Sequence, residues 1–176
     1  TRVADFEAAI TDRTALILRV HPSNFKQVGF TERADLSELV ALGAARNIPV
    51  VEDLGSGLLG PGLTVAGHKS DPAADDQVAR SVAAGVDLVC FSCDKLLGGP
   101  QAGLIVGKQA YVEKLRAHPV YRAMRLDKMT LAALETTLRM IREGRSDQIP
   151  VRVMLQRTPA ECRVIAEQIA AAVPGA

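Results

Sequence analysis

Short apolar runs alternate along the chain with longer stretches in which apolar positions recur every three or four residues. Residues 5–10 read as the end of a helix, turned by Thr11-Asp12-Arg13-Thr14 into a strand-length run at 15–20. His21-Pro22-Ser23-Asn24 ends that run, because Pro22 has no N–H for a ladder and restricts the residue before it. Residues 36–45 carry apolar side chains at 36, 39, 40, 42, 44 and 45 behind Glu32 and Asp35, the pattern of a helix with an acidic start. Residues 48–51 predict a buried strand running out at Glu52-Asp53-Leu54-Gly55-Ser56-Gly57, with a glycine- and proline-rich loop over 55–70. A helix over 74–84, a strand over 86–92, a glycine-rich loop over 95–103, a strand over 102–106 and helices over 110–117 and 129–143 continue the series. Strands alternating with helical patterns predict an α/β domain built on a mainly parallel sheet between helices. Pro150 marks a boundary, so residues 1–147 are expected to form part of one large domain. Residues 148–176, with an amphipathic helix over 151–172, are expected to lead into a truncated second domain.

Composition narrows the class without fixing a function. The chain is 48% hydrophobic and 23% charged with a net charge of +1, so no global charge advertises nucleic acid or membrane. No apolar run approaches the ~20 residues of a membrane span, and Thr1 does not open a signal peptide. A start at Thr1 and an end at Val173-Pro174-Gly175-Ala176 in a helical context read as a piece of a longer chain. The three cysteines, Cys90, Cys93 and Cys162, are too few for a zinc set, and no metal site is expected. Cys90 and Cys93 are expected to share a strand as packing residues, and a reducing cytoplasm is the default location. Met124 and Met129 are expected in the core, while His68 and His118 have no evident partner.

Two features carry candidate chemistry. Asp53 follows a buried strand, where open α/β sheets bind their ligands, although a turn cap with Gly55 and Gly57 explains it equally well. Lys95 follows another apolar strand and enters Leu96-Leu97-Gly98-Gly99-Pro100-Gln101-Ala102-Gly103. A lysine sheltered there loses hydration that favours its ammonium form, as a Schiff-base lysine requires, and the glycines let a ligand approach the backbone. Ser92, three residues earlier, could donate to a phosphate. The lysine precedes the glycines, the reverse of a Walker-type loop. Each of Asp53 and Lys95 ends a strand, so neighbouring strands can bring them to one pocket. Pyridoxal phosphate (PLP) needs this pair, an amine for its aldehyde and a carboxylate for its ring nitrogen. His21 could stack on a flat cofactor or cap its strand, and Asn24 could donate to a ring oxygen. Arg122 and Arg125, three apart, suit a shared oxyanion, yet spacing alone favours an ordinary solvated helix face.

Ser23 to Thr31, Val51 to Gly57 and Phe91 to Gly107 together resemble the bacterial selenocysteine synthases, the L-seryl-tRNA(Sec) selenium transferases, which have the aspartate-aminotransferase-like fold of PLP enzymes (fold type I). The resemblance runs from about residue 15 to 128 and is most specific in Asp94-Lys95-Leu96-Leu97-Gly98-Gly99-Pro100-Gln101-Ala102-Gly103. It implies Lys95 as the PLP lysine, Asp53 as the carboxylate on the ring nitrogen and Ser92 as a phosphate contact. Arg122 and Arg125 become the arginines that hold selenophosphate. It implies conversion of seryl-tRNA(Sec) to selenocysteyl-tRNA(Sec) through an aminoacrylyl intermediate in a cytoplasmic homo-oligomer, with the tRNA gripped mostly by parts outside this chain. Cys93 departs from the family, standing where a small residue, usually glycine, is expected. Two alternatives stay open: another fold-type-I lyase or transferase acting on a small amino substrate, and a non-catalytic piece serving as an oligomerisation core.

Overall fold

The computed structural model describes residues 1–21, 29–60 and 77–173. Its elements are α1 (Val3–Ala9), β1 (Ile17–Val20), α2 (Leu36–Arg46), β2 (Val50–Ser56), α3 (Gln77–Ala83), β3 (Leu88–Ser92), β4 (Gly103–Gly107), α4 (Gln109–Ala117), α5 (Pro119–Ala123), α6 (Lys128–Arg142), α7 (Pro150–Gln156) and α8 (Pro159–Ala172). The strands form one sheet in the order β1-β2-β3-β4. The first three are parallel and β4 runs antiparallel to β3. Helices intervene between the parallel strands, whereas β3 and β4 are joined only by residues 93–102, a connection that reverses the chain.

Each strand alternates between two faces. Ile17, Val50, Leu54, Val89 and Phe91 are buried and pack with Leu39 and Leu42 of α2, Val78 of α3 and Val86. Gly43 lets α2 lie close, since a Cβ there would stand 2.6 Å from Val50 Cγ2. Asp35 caps α2 by accepting from the Ser37 N–H at 2.8 Å, and Asn47 closes it in the left-handed conformation, φ 54°. In register across the other face lie Val20, Asp53, Cys90 and Ile105.

A second, smaller core sits beneath the β3–β4 connection, where Cys93, Leu97 and Leu134 of α6 pack with Leu59, Leu126, Leu138 and Ile141. Its anchor from the C-terminal side is α7. Arg152, buried, donates from Nη2 to Leu59 O at 2.5 Å, and Ile149 and Val151 lie over Gly98. No residue of α8 is buried.

Several expectations need correction. The helix read over 151–172 is two helices, because the Thr158 hydroxyl accepts from the Glu161 N–H while the Glu161 carboxylate accepts from the Thr158 N–H, a capping box that starts α8 afresh. Cys93 lies beyond β3, turned into the second core, and does not share the strand with Cys90. Met124 and Met129 are 75% and 81% exposed, since both sit on the α5–α6 segment outside either core. His118 does have a partner, accepting from the Val120 N–H at 3.2 Å as the cap of α5.

Candidate active site

β2 and β3 deliver the two candidate groups to one place. Asp53 stands opposite Cys90, but Ser56 stands opposite Ser92, so β2 uses three steps where β3 uses two. Gly55 absorbs this irregularity with φ +66°, a conformation that suits glycine. The turn brings the Gly55 N–H onto Asp53 Oδ1 at 2.8 Å. From the loop after β3, Lys95 Nζ donates to Gly55 O at 3.3 Å. Carboxylate and ammonium thus meet at the two ends of one glycine residue, Asp53 half-buried and Lys95 exposed.

The loop after β3 explains why Lys95 points there. Cys93 N–H donates to Ala102 O at 2.9 Å, Gly98 N–H to Lys95 O at 3.0 Å and Gly99 N–H to Cys93 O at 2.8 Å, a closed set of turns. Leu97 and Cys93, fully buried, pin the loop to the second core and leave Lys95 on its free side. Gly98, at φ +77°, admits no side chain, because a Cβ would stand 2.4 Å from Ile149 Cγ2. Gly57 is equally constrained, since its Cβ would fall 1.9 Å from Phe91 Cδ2. The glycines therefore answer to packing as well as to ligand access.

His21 joins the site through its backbone, donating its N–H to Asp53 O at 2.7 Å. Its imidazole is half-buried, and burial, Arg33 and Arg19 hold it below its ordinary pKa against an opposing pull from Glu52, so it is neutral at pH 7. Ser92, half-buried, ends β3 beside Ser56. Burial and the Asp53 charge raise the Cys90 thiol, and burial with Asp94 pushes the Cys93 thiol up to about 11, so the cysteine nearest Lys95 is a protonated core residue. Arg122 and Arg125 are exposed around α5, and no hydrogen bond or ion pair among the described residues joins them to Asp53 or Lys95. Asn24 and His68 lie outside the described residues. Among the described residues no group of three or more His, Cys, Asp and Glu could hold a metal ion.

Sequence reasoning missed the support behind Asp53. Glu52, 1% exposed, points to the opposite face and pairs with Arg19 from the same rung of β1; its Oε2 has no partner among the described residues. The signal was an acid at an inward position of β2 opposite a basic residue in the apolar run of β1.

Comparison with known proteins fits this geometry. A family model described as L-seryl-tRNA selenium transferase matches residues 1–175. Curated relatives named L-seryl-tRNA(Sec) selenium transferase include that of Klebsiella pneumoniae (strain 342), 47% identical over 171 residues, which are 96% of this chain and 36% of that protein. The protein of Geobacter sulfurreducens is 47% identical over 170 residues, again 96% of this chain and 36% of the relative. The chain thus spans about a third of the length of the curated relatives it matches. Among solved structures, a D-glucosaminate-6-phosphate ammonia-lyase aligns with a TM-score of 0.61 at 23% identity, covering 94% of this chain and 37% of that one. A serine palmitoyltransferase from S. paucimobilis with a bound PLP–myriocin aldimine aligns with a TM-score of 0.53 at 17% identity, covering 81% and 35%. At these identities the likeness speaks for the fold, part of the fold-type-I large domain.

Proposed function

Because the chain belongs to the L-seryl-tRNA selenium transferase family, we propose that the protein carrying it converts seryl-tRNA(Sec) to selenocysteyl-tRNA(Sec), using PLP held at Lys95 and Asp53 and selenophosphate as the selenium donor. The observation that carries this reading is the convergence of Asp53 and Lys95 on Gly55. The residues fit the cofactor, although Lys95 is exposed where a sheltered lysine was expected: the amine bonds a carbonyl oxygen it can leave, and Asp53 engages the Gly55 N–H through Oδ1. When bound, PLP supplies an electron-accepting ring that stabilises charge developing at the seryl α-carbon.

The remaining roles belong to the protein. Lys95 Nζ anchors the cofactor and, once released, takes and returns the α-proton of the seryl group. The Asp53 carboxylate keeps the ring nitrogen protonated by pairing with its charge. Ser92 donates to the cofactor phosphate, and Asn24 to a ring oxygen. His21, neutral at pH 7 because burial and two arginines disfavour its charged form, lines a cavity with Arg19, Arg33 and Glu52 on the opposite face of the sheet, so its part is the backbone N–H that it donates to Asp53 O and not a stack on the ring. Arg122 and Arg125 grip the anionic selenium donor through charge-assisted hydrogen bonds. Homo-oligomerisation and a cytoplasmic site of action complete the reading; among the described residues no helix is long and apolar enough to cross a membrane.

The test is Lys95→Ala in the full-length protein that carries this chain. The visible band of lysine-bound PLP should vanish, together with formation of selenocysteyl-tRNA from seryl-tRNA and selenophosphate. A band that survives unchanged removes Lys95 from the cofactor site.

A further inference from the structure

The stretch 111–129, from α4 through α5 into α6, differs in charge from the rest of the molecule. It holds Lys114, Arg116, Arg122, Arg125 and Lys128 against Glu113 and Asp127, a balance of +3 within a chain whose total is +1. Both acids are already engaged locally. Glu113 accepts from Gln109 Nε2 at 2.7 Å, and Asp127 caps α6 by accepting from the Met129 and Thr130 N–H groups at 2.8 and 3.0 Å. The five cations are exposed, and none forms an ion pair among the described residues. Lys114 lies near a neutral ring, its ammonium 5.6 Å from the Tyr111 centroid, which does not compensate its charge. Interleaved with these cations are apolar side chains that a solvated surface does not need: Val120, Tyr121, Met124 and Met129 are 54%, 57%, 75% and 81% exposed.

Uncompensated cations alternating with an exposed aromatic ring suit one kind of partner. Cations neutralise phosphates in sequence along a backbone, and a ring offers a platform on which an unpaired base stacks. A protein partner of acidic character would use the cations but has no need of the ring. We propose that the 111–129 surface is a nucleic-acid docking strip, Lys114, Arg116 and Lys128 binding the phosphate backbone of the tRNA and Tyr121 stacking on a base of its single-stranded 3′ end. The inference rests on the reading of the protein as a tRNA-acting transferase, and it gives the catalytic piece its own hold on that RNA. Arg122 and Arg125 lie in the middle of the strip, so an RNA end held by Tyr121 arrives beside the residues proposed to hold the selenium donor.

The experiment uses the full-length protein with two variants outside the proposed cofactor and donor contacts, Lys114→Gln/Arg116→Gln/Lys128→Gln and Tyr121→Ala. Binding of the unacylated tRNA transcript is measured across a salt series, with intact RNA and with RNA trimmed of its single-stranded 3′ end. The triple variant should bind roughly tenfold or more weakly, and the slope of log affinity against log salt should fall by roughly two to three, about 0.7–0.9 per lost phosphate contact. Tyr121→Ala should weaken intact RNA by roughly five- to a hundredfold, leave trimmed RNA unaffected, and be rescued by Tyr121→Phe. Unchanged affinity and slope in the triple variant, or equal loss of intact and trimmed RNA in Tyr121→Ala, overturns the proposal. Loss of binding to anionic phosphatidylglycerol vesicles with RNA binding intact also overturns it, in favour of a membrane surface. The visible PLP band, read on the same preparations, should match the parent; its absence from the parent itself would count against the cofactor reading and not against the strip.

Discussion

Asp87 fastens three strands at one point, and replacing it separates the contributions of its two carboxylate contacts. One oxygen accepts the buried N–H of Val50 at 2.7 Å, at the start of β2, and the other accepts Lys108 Nζ at 2.7 Å, just past β4. The backbone adds Asp87 N–H to Val50 O and Lys108 N–H to Asp87 O, each at 2.9 Å. This knot sets the register in which Val51 meets Leu88 and Asp53 meets Cys90, and so where the candidate site lies. Asp87→Asn keeps an acceptor for Val50 and loses only the pair with Lys108, whose side chain is 59% exposed, a cost of about 0–1 kcal/mol. Asp87→Ala leaves the Val50 N–H buried and unpaired, a further cost of about 1–3 kcal/mol. At ~2–4 °C per kcal/mol for a domain of this size, thermal melts by circular dichroism should drop by no more than ~4 °C for Asn and clearly further for Ala. Lys108→Met leaves the Asp87 carboxylate, 13% exposed, without its cation and should cost more than Asp87→Asn, which leaves an exposed lysine. The hydrogen bond to Asp87 raises the Lys108 pKa above 10.5, so the ion pair stabilises fully below that value and is lost as pH climbs through the folded-state pKa. The gap between parent and Asp87→Asn should therefore hold steady from pH 7 to 10 and close above. Equal melting of Asn and Ala would refute the assignment of the main cost to the Val50 N–H.

Gly57→Ala forces a Cβ to within 1.9 Å of the 4%-exposed Phe91, so it should cost about 1–3 kcal/mol in urea unfolding and weaken PLP binding; parent-like values for both would contradict the close packing. At pH 8, iodoacetamide should label exposed Cys162 first and leave Cys93, fully buried with its pKa near 11, unmodified until the protein unfolds; early labelling of Cys93 in peptide maps would count against its placement in the second core. Arg19→Met leaves the Glu52 charge buried without its partner, a loss of about 3–5 kcal/mol, whereas Glu52→Gln frees an arginine that is 27% exposed and reaches water. The arginine variant should therefore have the lower urea midpoint, and the reverse order would show that the carboxylate is relieved some other way.

The strands were legible because 15–20, 48–51 and 86–92 are compact apolar runs with breakers on both sides; the expectation that Asp53 and Lys95 each end a strand held less well, since β2 runs on to Ser56 with Asp53 inside it and Lys95 lies three residues past β3. Other features lacked a one-dimensional signal or had it overridden. Apolar periodicity across 151–172 outweighed Thr158-Pro159-Ala160-Glu161, although the capping box was written there in full. Met124 and Met129 read as core by residue type alone, yet a short helix between two capped turns has no second layer to pack against within this chain. Asp87, inside the strand read over 86–92, carried no signal of its role, because its partners Val50 and Lys108 are brought to it only by the sheet.

The bulge in β2 joins these threads. A regular parallel ladder from Asp53 onward would keep the two strands in step, and Gly55 would occupy an ordinary rung. By using three residues against two on β3, β2 turns the Gly55 N–H back to Asp53 and its carbonyl out to Lys95. The bond to Lys95 is long and exposed, whereas the bond to Asp53 is short and local, so a ligand that takes up the amine disturbs the first and leaves the second. The carboxylate is thereby held in advance of binding while the lysine stays free to move, the division of labour that a lysine-linked cofactor with a fixed ring partner requires.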